Sequence, residues 1–492
     1  MSRHKRGRVF RLSVPSAISA THPLPVAIMP MPHSPTYGNV LDLIGNTPIV
    51  KLTHLDTGPC ELFAKLECNN PGGSIKDRIG LRMIEAAERD GKIKPGGTIV
   101  EATAGNTGLG LALAAIHKGY KLLLVIPDKM SQEKIFHLRA MGVEIVMTRS
   151  DVSKGHPEYY QDMAKRITAE MHAAGKSAHC IDQFSNPANP QTHEDWTAPE
   201  IWEQMDHRLD AVVAGVGSGG TITGMGRFFA KHAPHVEMIL ADPKGSILAD
   251  LVNTGTHGAS GSWLVEGIGG DYVPKNLDVH MAKRGIYVSD AEAMLAAREL
   301  LQKEGIMGGS SSGTLLAAAL RYCREQTTPK RVVTIVCDVG GKYLSKMYND
   351  YWMMDQGIIT RPQKGDLSDL IARRHDDRAT ITVKPDDTLK TALARMKLYD
   401  VQQMPVLDGD AVVGIIDESD ILMAVFGDES RFQAPVRDAM SDRIVTLDKT
   451  DFISRLIPIF DDGHVAIVMD GDKFLGLITR YDLLTYLRRR AQ

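Results

Sequence analysis

Asn69-Asn70-Pro71-Gly72-Gly73-Ser74-Ile75-Lys76-Asp77-Arg78 sets one lysine directly after a Pro-Gly-Gly turn and at the start of a predicted helix. Two adjacent glycines let the backbone bend sharply and approach a ligand closely. Ile75, Ile79 and Met83 then recur at helical spacing, and Gly91 closes the run. Lys76 therefore stands at an element boundary, where a long amine reaches into a cleft. If burial or a neighbour lowers its pKa, such a lysine is a Schiff-base nucleophile. A lysine at a helix start is also an ordinary surface feature. On this stretch alone the plain reading is the stronger one; the glycine loops further along reverse the order.

Outward from this stretch, the chain enters its fold at Leu43-Ile44-Gly45-Asn46-Thr47-Pro48-Ile49-Val50. From there to about residue 350, short apolar strands alternate with helical patterns. The predicted strands are 98–101, 122–126, 144–147, 211–216, 237–241 and 332–337. Alternation of this kind predicts an α/β domain, with parallel sheet covered on both faces. Ligands in such sheets bind beyond the carboxyl ends of the strands. Three loops following strands or opening helices are therefore informative.

The first is Thr103-Ala104-Gly105-Asn106-Thr107-Gly108, before a helix running from Leu109. Backbone N–H groups and threonine hydroxyls at a helix start suit a carboxylate. A capped strand–helix junction would use the same residue types. The second is Gly215-Val216-Gly217-Ser218-Gly219-Gly220-Thr221. Its bare glycines expose successive N–H groups, and the following helix favours an anion. A dinucleotide GxGxxG site is the rival, but the spacing is GxGxGGT and lies deep in the chain. The third is Gly308-Gly309-Ser310-Ser311-Ser312-Gly313, a serine run before an apolar helix, which is often only a cap.

Composition narrows the class. The 492 residues are enough for two or three domains, and 43% are apolar, as in ordinary globular proteins. A formal net charge of −3 gives no electrostatic case for nucleic acid or an anionic membrane. No apolar run is long enough to span a bilayer. Cys60, Cys68, Cys180, Cys323 and Cys337 are scattered, without a CxxC pair. They read as free thiols in a reducing, cytoplasmic compartment. Residues 1–36 are Arg- and Pro-rich, with no acid before Asp42. A transit peptide shares that composition, and an upstream start codon with Met29 or Met31 as the true start is another reading. Pro23, Pro25, Pro30, Pro32 and Pro35 argue against a helical presequence and favour a disordered arm.

Beyond residue 354 the chain changes character. Residues 355–377 are polar and read as a linker. An internal repeat follows: Gly414-Ile415-Ile416-Asp417-Glu418-Ser419-Asp420 recurs as Gly476-Leu477-Ile478-Thr479-Arg480-Tyr481-Asp482. Similar strands precede each copy, giving repeats over 378–435 and 436–492.

These motifs together resemble the pyridoxal-phosphate (PLP) β-family, the fold type II enzymes, which include the cysteine synthases and cystathionine β-synthases. The Pro-Gly-Gly-Ser-Ile-Lys-Asp-Arg motif carries the resemblance first, and the likeness runs from residue 40 to 490. It implies a catalytic domain over 37–354, with Lys76 as both the PLP lysine and the general base. It implies Asn106 on the cofactor's phenolic oxygen, Gly217, Ser218, Gly219, Gly220 and Thr221 around its phosphate, and Ser311 on its ring nitrogen. Ser310 and Ser312 are the neighbours that could replace Ser311. A hydroxyl there leaves the ring a weaker electron sink than an aspartate would, which suits β-elimination. Thr103, Ala104, Gly105, Thr107 and Gln183 are implied to hold the substrate carboxylate, with Ala104 where the family usually has serine. Glu266 and Gly267 are implied to border the site.

Asp242-Pro243-Lys244-Gly245-Ser246-Ile247-Leu248 and Val265-Glu266-Gly267-Ile268-Gly269-Gly270 resemble the cystathionine β-synthases more than the cysteine synthases. The expected reaction is condensation of serine with homocysteine, with sulfide production from cysteine as a side activity. Mammalian-type members have tyrosine where Gly270 stands. They also carry a heme held by an N-terminal cysteine; no cysteine precedes Cys60 here, so no heme and no metal is expected. The paired repeats resemble a Bateman module, a regulatory α+β unit. The resemblance implies that Thr479 and Asp482 bind S-adenosylmethionine or an adenine nucleotide. The first repeat has Asp417 where the hydroxyl belongs, so its site is expected to be weak or empty. Family members are homodimers or homotetramers. Cysteine synthase is the alternative enzyme. An adenylate sensor with a dead catalytic domain is the alternative from another class, and the intact Lys76, Asn106 and glycine loop oppose it.

Overall fold

The computed structural model describes residues 36–490 apart from Ala104, Lys129, Ser131, Ser153, Lys154 and Pro362. The expected arm over 1–36 therefore lies outside the described residues, except its last. Two sheets build the catalytic part. The smaller holds β3 (Thr98–Ala102), β4 (Lys121–Pro127), β5 (Glu144–Thr148) and β6 (Ala178–Cys180), ordered β5-β4-β3-β6 and all parallel. The larger holds β1 (Ile49–Lys51), β2 (Glu61–Lys65), β7 (Ala211–Gly215), β8 (Glu237–Pro243), β9 (Arg284–Val288) and β10 (Arg331–Ile335). Its order is β1-β2-β10-β7-β8-β9, parallel except for the β1–β2 pair. The expected α/β class with parallel sheets is what the chain adopts. The six predicted strands are present, with ends shifted by one or two residues. Of the four missed ones, β1, β6 and β9 are edge strands, and the internal β2 has only three consecutive apolar residues, Leu62 to Ala64, between charged ends.

Central strands are buried on both faces, which is why they read as unbroken apolar runs. Every residue of β3 and all but the first of β4 are buried. The helix Lys76–Arg89 packs its Ile79, Met83 and Ile84, all at 0% exposure, into the core of the smaller sheet. Each contributes roughly 1.5–3 kcal/mol of burial. Its partner is the helix Asn106–Lys118, which begins three residues earlier than the expected Leu109. The two cross at Gly80 and Gly110. A Cβ on Gly80 would stand 2.5 Å from the Gly110 carbonyl carbon, and one on Gly110 would stand 2.6 Å from the Lys76 carbonyl oxygen. Glycine at both positions lets the lysine helix and the Asn106 helix touch backbone to backbone.

The C-terminal repeats share one topology. The first holds the hairpin β11 (Gln403–Asp408) and β12 (Ala411–Asp417), with Val383 bridging Val406 in parallel. The second holds β13 (Val445–Asp448), β14 (Ala466–Asp470) and β15 (Lys473–Ile478), with β13 parallel to β14. Residues 355–377 are more than a tether. Leu367, Leu370 and Ile371 are buried in the core of the second repeat, beside Leu447, Leu456 and Ile478. The Leu367 N–H donates to the Lys449 carbonyl (2.8 Å) and the His375 N–H to the Leu475 carbonyl (2.8 Å). Polar composition concealed three apolar residues that complete a core.

Candidate active site

A cavity of about 630 Å³ opens between the two catalytic sheets. Lys76 lines it, carried there by the first turn of its helix. The Lys76 amine has no hydrogen-bond partner among the described residues. Burial pushes it below the ordinary lysine range; the neighbouring Cys337 and Asp338 pull only partly the other way. An amine so placed is available as nucleophile or base nearer neutral pH than a surface lysine.

The first predicted loop forms one wall. Thr103, Gly105, Asn106 and Thr107 line the cavity; Ala104 lies outside the described residues. Gly105 has φ +136°, a conformation that glycine adopts without strain. Gln183 lines the same wall and accepts a hydrogen bond from the Thr107 hydroxyl (2.8 Å) through its amide oxygen. Asn189 and Asn276 both donate to the Gln183 carbonyl (2.8 Å each), fixing its backbone. Beneath them, burial pushes the Glu101 carboxyl up to about 8, and one of its oxygens has no partner among the described residues.

The glycine loop forms a second wall. Gly217, Ser218 and Thr221 line the cavity, whereas Gly219 and Gly220 do not. A Cβ on Gly217 would stand 2.3 Å from the Gly267 carbonyl oxygen, so the two loops pack backbone on backbone. A Cβ on Gly220 would stand 1.9 Å from Asn189 Oδ1. Asn189 in turn donates to the Ser218 hydroxyl (2.9 Å). Of the three serines in the third loop, Ser311 lines the cavity and reaches the Cys337 thiol. Ser310 accepts from the Glu266 N–H (3.0 Å) and Ser312 from the Cys337 N–H (2.9 Å). Those two hydroxyls serve the protein's own backbone.

The sequence pattern of the pyridoxal-phosphate dependent enzymes matches residues 40–338, more than half of the chain, and that of the CBS domain matches 373–427 and 436–489. Over 471 residues the chain is 34% identical to a cystathionine β-synthase of Dictyostelium discoideum, covering 92% of this chain and 93% of that one. A cystathionine β-synthase of Mus musculus is 37% identical, covering 88% of this chain and 77% of its own. The chain belongs to the PLP-dependent cystathionine β-synthase family. Among solved structures, a hydrogen sulfide-producing enzyme from Fusobacterium nucleatum is similar, with a TM-score of 0.58 and 36% identity. The match covers 63% of this chain and all of that one.

The residues present fit the family's cofactor. An unpartnered, buried amine, a bare backbone cradle and a neutral hydroxyl face one cavity. Lys76, the loop from Gly217 to Thr221, Asn106 and Ser311 are the groups that would hold PLP.

Several residues around this PLP site escaped the sequence reading. Asn106 donates through Nδ2 to Asp338 (2.7 Å) and accepts from Lys342 through Oδ1 (3.0 Å). One of its two amide hydrogens is left for a ligand. Tyr343 donates to the same Asp338 oxygen (2.7 Å). Lys134 and Lys346 both donate to Glu266, at 2.6 and 2.7 Å. Burial pushes the Glu266 carboxyl up, but the two lysines outweigh it and hold it below its ordinary range. Asp338, Lys342, Tyr343 and Lys346 all lie just beyond the carboxyl end of β10. The rule that drew attention to three loops would have found this fourth one. His193 carried no such signal. It is buried in a π-helical turn, His193–Thr197, with one ring nitrogen 3.3 Å from the Thr221 hydroxyl and the other 2.9 Å from Thr197. Burial, with the Lys76 and Arg78 charges, pushes it down to about 3, so it is neutral. Gly270 lines the cavity, and so does Tyr272, two residues beyond it.

Thr479 and Asp482 meet where β15 gives way to the helix Arg480–Arg490. The Thr479 N–H and hydroxyl both donate to one Asp482 oxygen, at 2.7 and 2.6 Å. Asp417 and Asp420 exchange the same kind of bonds in the first repeat, at 2.8 and 2.9 Å. Both pairs therefore cap a helix. They differ in surroundings: Thr479 and Asp482 line a cleft of about 1070 Å³, and Asp417 and Asp420 are not among its lining residues.

Proposed function

We propose that this enzyme condenses serine with homocysteine to cystathionine and water. The observation that carries this reading is the convergence of Lys76, the Thr103–Thr107 wall with Gln183, and Ser311 on one cavity. PLP held in this cavity, with the substrate in place of Lys76 on it, would supply an electron sink for the α-carbon. The helix-start N–H groups at Asn106 and Thr107, with the Gln183 amide, hold the substrate carboxylate and orient its α-hydrogen. The Lys76 amine takes that proton and later returns it. Between the two transfers the bond from the β-carbon to the hydroxyl oxygen breaks, and a bond to the homocysteine sulfur forms. Overall, the thiol proton and the hydroxyl leave as water. Neutral Ser311 leaves the electron sink weak, which favours loss of the β-substituent over other fates of the α-carbon.

The assay that tests this compares serine plus homocysteine with O-acetylserine plus sulfide on the purified protein. The expected result is a higher kcat/KM for the first pair. A higher efficiency for the second pair would make the protein a cysteine synthase in function.

We further infer that Thr479 and Asp482 bind an adenosyl ligand in the cleft, Asp482 accepting from the ribose hydroxyls. Burial pushes the Asp420 and Asp482 carboxyls up alike, so what sets the Asp417 site apart is the missing hydroxyl and its place outside the cleft. Calorimetric titration with S-adenosylmethionine, AMP and ATP is expected to show one site per module. Asp482→Ala should abolish it and Asp417→Ala should leave it unchanged; loss in the Asp417 variant alone would reverse the assignment. The same reading assigns 37–354 to catalysis, a homo-oligomer as the working form, and the cytoplasm as its compartment. No helix among the described residues is long and apolar enough to cross a membrane.

A further inference from the structure

Lys76 and Asn106 open two different helices, yet one short segment grips both. It is residues 337–343, just beyond β10. Its backbone fastens the turn that leads into Lys76. The Ile75 N–H donates to the Cys337 carbonyl (2.9 Å), and the Val339 N–H donates to the Gly73 carbonyl (3.1 Å). Its side chains hold the Asn106 amide. Asp338 takes one N–H (2.7 Å), and Lys342 donates to Oδ1 (3.0 Å). Lys342 alone serves both tasks, because its ammonium also donates to the Gly72 carbonyl (3.1 Å) and the Gly73 carbonyl (3.4 Å).

Such a lysine is costly in a protein interior. Lys342 is 7% exposed and forms no salt bridge with a carboxylate among the described residues. Buried lysines are ordinarily paired, because desolvating a lone charge is unfavourable. Burial pushes this ammonium below the ordinary lysine range, and Asp338 and Asp77 pull it only partly back. Two glycine carbonyls need no more than a neutral donor. The charge has its use at Asn106. An ammonium only donates and an ionised carboxylate only accepts, so the amide cannot turn over without facing both with the wrong atom. Asp338 is itself held by the Tyr343 hydroxyl (2.7 Å), which accepts from Lys134 (3.2 Å). Asn106 lines the cavity, whereas Asp338 and Lys342 do not. What those two do for the cavity passes through the amide.

We infer that Lys342, with Asp338, is a positioning residue that fixes the Asn106 amide and leaves its one free N–H for the phenolic oxygen of PLP, and so sets how far that oxygen is ionised. This rests on the reading that Asn106 meets that oxygen. A donor at the oxygen favours its ionised form. The ammonium on Oδ1 also polarises the amide and strengthens its remaining N–H as a donor. Without Lys342 the amide keeps one anchor of two, and the donor is both weaker and less well aimed.

The test is a double-mutant cycle on the full chain: Lys342→Met, Asn106→Ala and the two combined, with Lys342→Arg beside them. Thermal melts check folding, and Lys342→Gln carries the same cycle if Lys342→Met does not fold. Two quantities are read: the affinity of the PLP-free protein for PLP, and the visible absorbance of the lysine-bound PLP, whose bands distinguish the ionised from the protonated phenolic oxygen. Each single change should weaken PLP binding about tenfold and move the absorbance toward the protonated form. The combined variant should lose about tenfold as well, where independent effects would give about a hundredfold. Lys342→Arg keeps the charge and should return the absorbance toward that of the parent. Independent effects in the combined variant, or parent-like affinity and absorbance in the Lys342 variant, would overturn the inference and leave the Asn106 reading standing. Parent-like behaviour of Asn106→Ala would remove that reading and the inference with it.

Discussion

Lys76→Ala should abolish cystathionine formation while leaving the fold intact. Proton transfer by a positioned base is worth about 10²–10⁴-fold by itself, and the same amine is the cofactor's covalent anchor. The variant should also lose the visible absorbance that PLP shows when joined to a lysine. That spectrum separates a catalytic loss from a misfolded cavity. Stability should hold, because the Lys76 amine has no hydrogen-bond partner among the described residues and burial already opposes its charge. Alanine is also a better helix residue than lysine at the start of Lys76–Arg89. Thermal melts of parent and variant should agree within a few degrees. A variant that retained both turnover and lysine-bound absorbance would place the chemistry elsewhere in the cavity.

Much of this site was legible because its residues act locally. A glycine loop that exposes N–H groups, or a lysine that opens a helix, is written in consecutive positions. Lys76, Asn106, Thr107, Gln183, Gly217, Ser218, Thr221 and Ser311 line one cavity for that reason. What the sequence concealed depends on contacts across the fold. Asp338 reaches Asn106 over 232 residues, and Lys134 reaches Glu266 over 132. No local pattern marks such pairs, although the position of Asp338 after β10 was a usable clue. Gly220 adds a reason the pattern does not show: whatever its N–H meets, Asn189 occupies the space a side chain there would need. The linker misled for a third reason: three apolar residues among many charges carry little weight in composition but fill a core.

The motif that names Lys76 also holds Arg78, and its replacement should give the largest loss of stability. Arg78 is completely buried. Its guanidinium donates twice to Glu67 (2.8 and 2.7 Å) and twice to Glu200 (2.9 Å each). Glu67 follows β2 in the larger sheet, while Arg78 lies on the helix that covers the smaller one. Lys65 joins the cluster by pairing with Glu200 and donating to the Thr47 carbonyl (2.6 Å). Removing one partner strands a buried charge, at a cost of about 3–5 kcal/mol. Arg78→Ala should lose that much, and a double variant that also carries Glu67→Gln should lose less than the sum of the single changes.

The loss should depend on pH with a definite sign. Burial pushes the Glu67 carboxyl up, but Arg78, with Thr47 and Lys65, overcomes it and holds it at about 2 against an ordinary 4.5. A carboxyl depressed by folding adds stability above its unfolded pKa, and that stability drains away as pH falls toward the folded value. In the parent, this contribution is complete above about 4.5 and lost between there and about 2. Without Arg78 the main opposition to burial is gone, so a protonated Glu67 becomes the better tolerated form. The gap between parent and Arg78→Ala should therefore be widest near neutrality and narrow as pH falls below about 4.5. Urea unfolding at several pH values measures it. A gap of under about 1 kcal/mol, or one that stays constant with pH, would mean that other groups in the cluster hold Glu67 ionised and that Arg78 is not the tie between the two sheets.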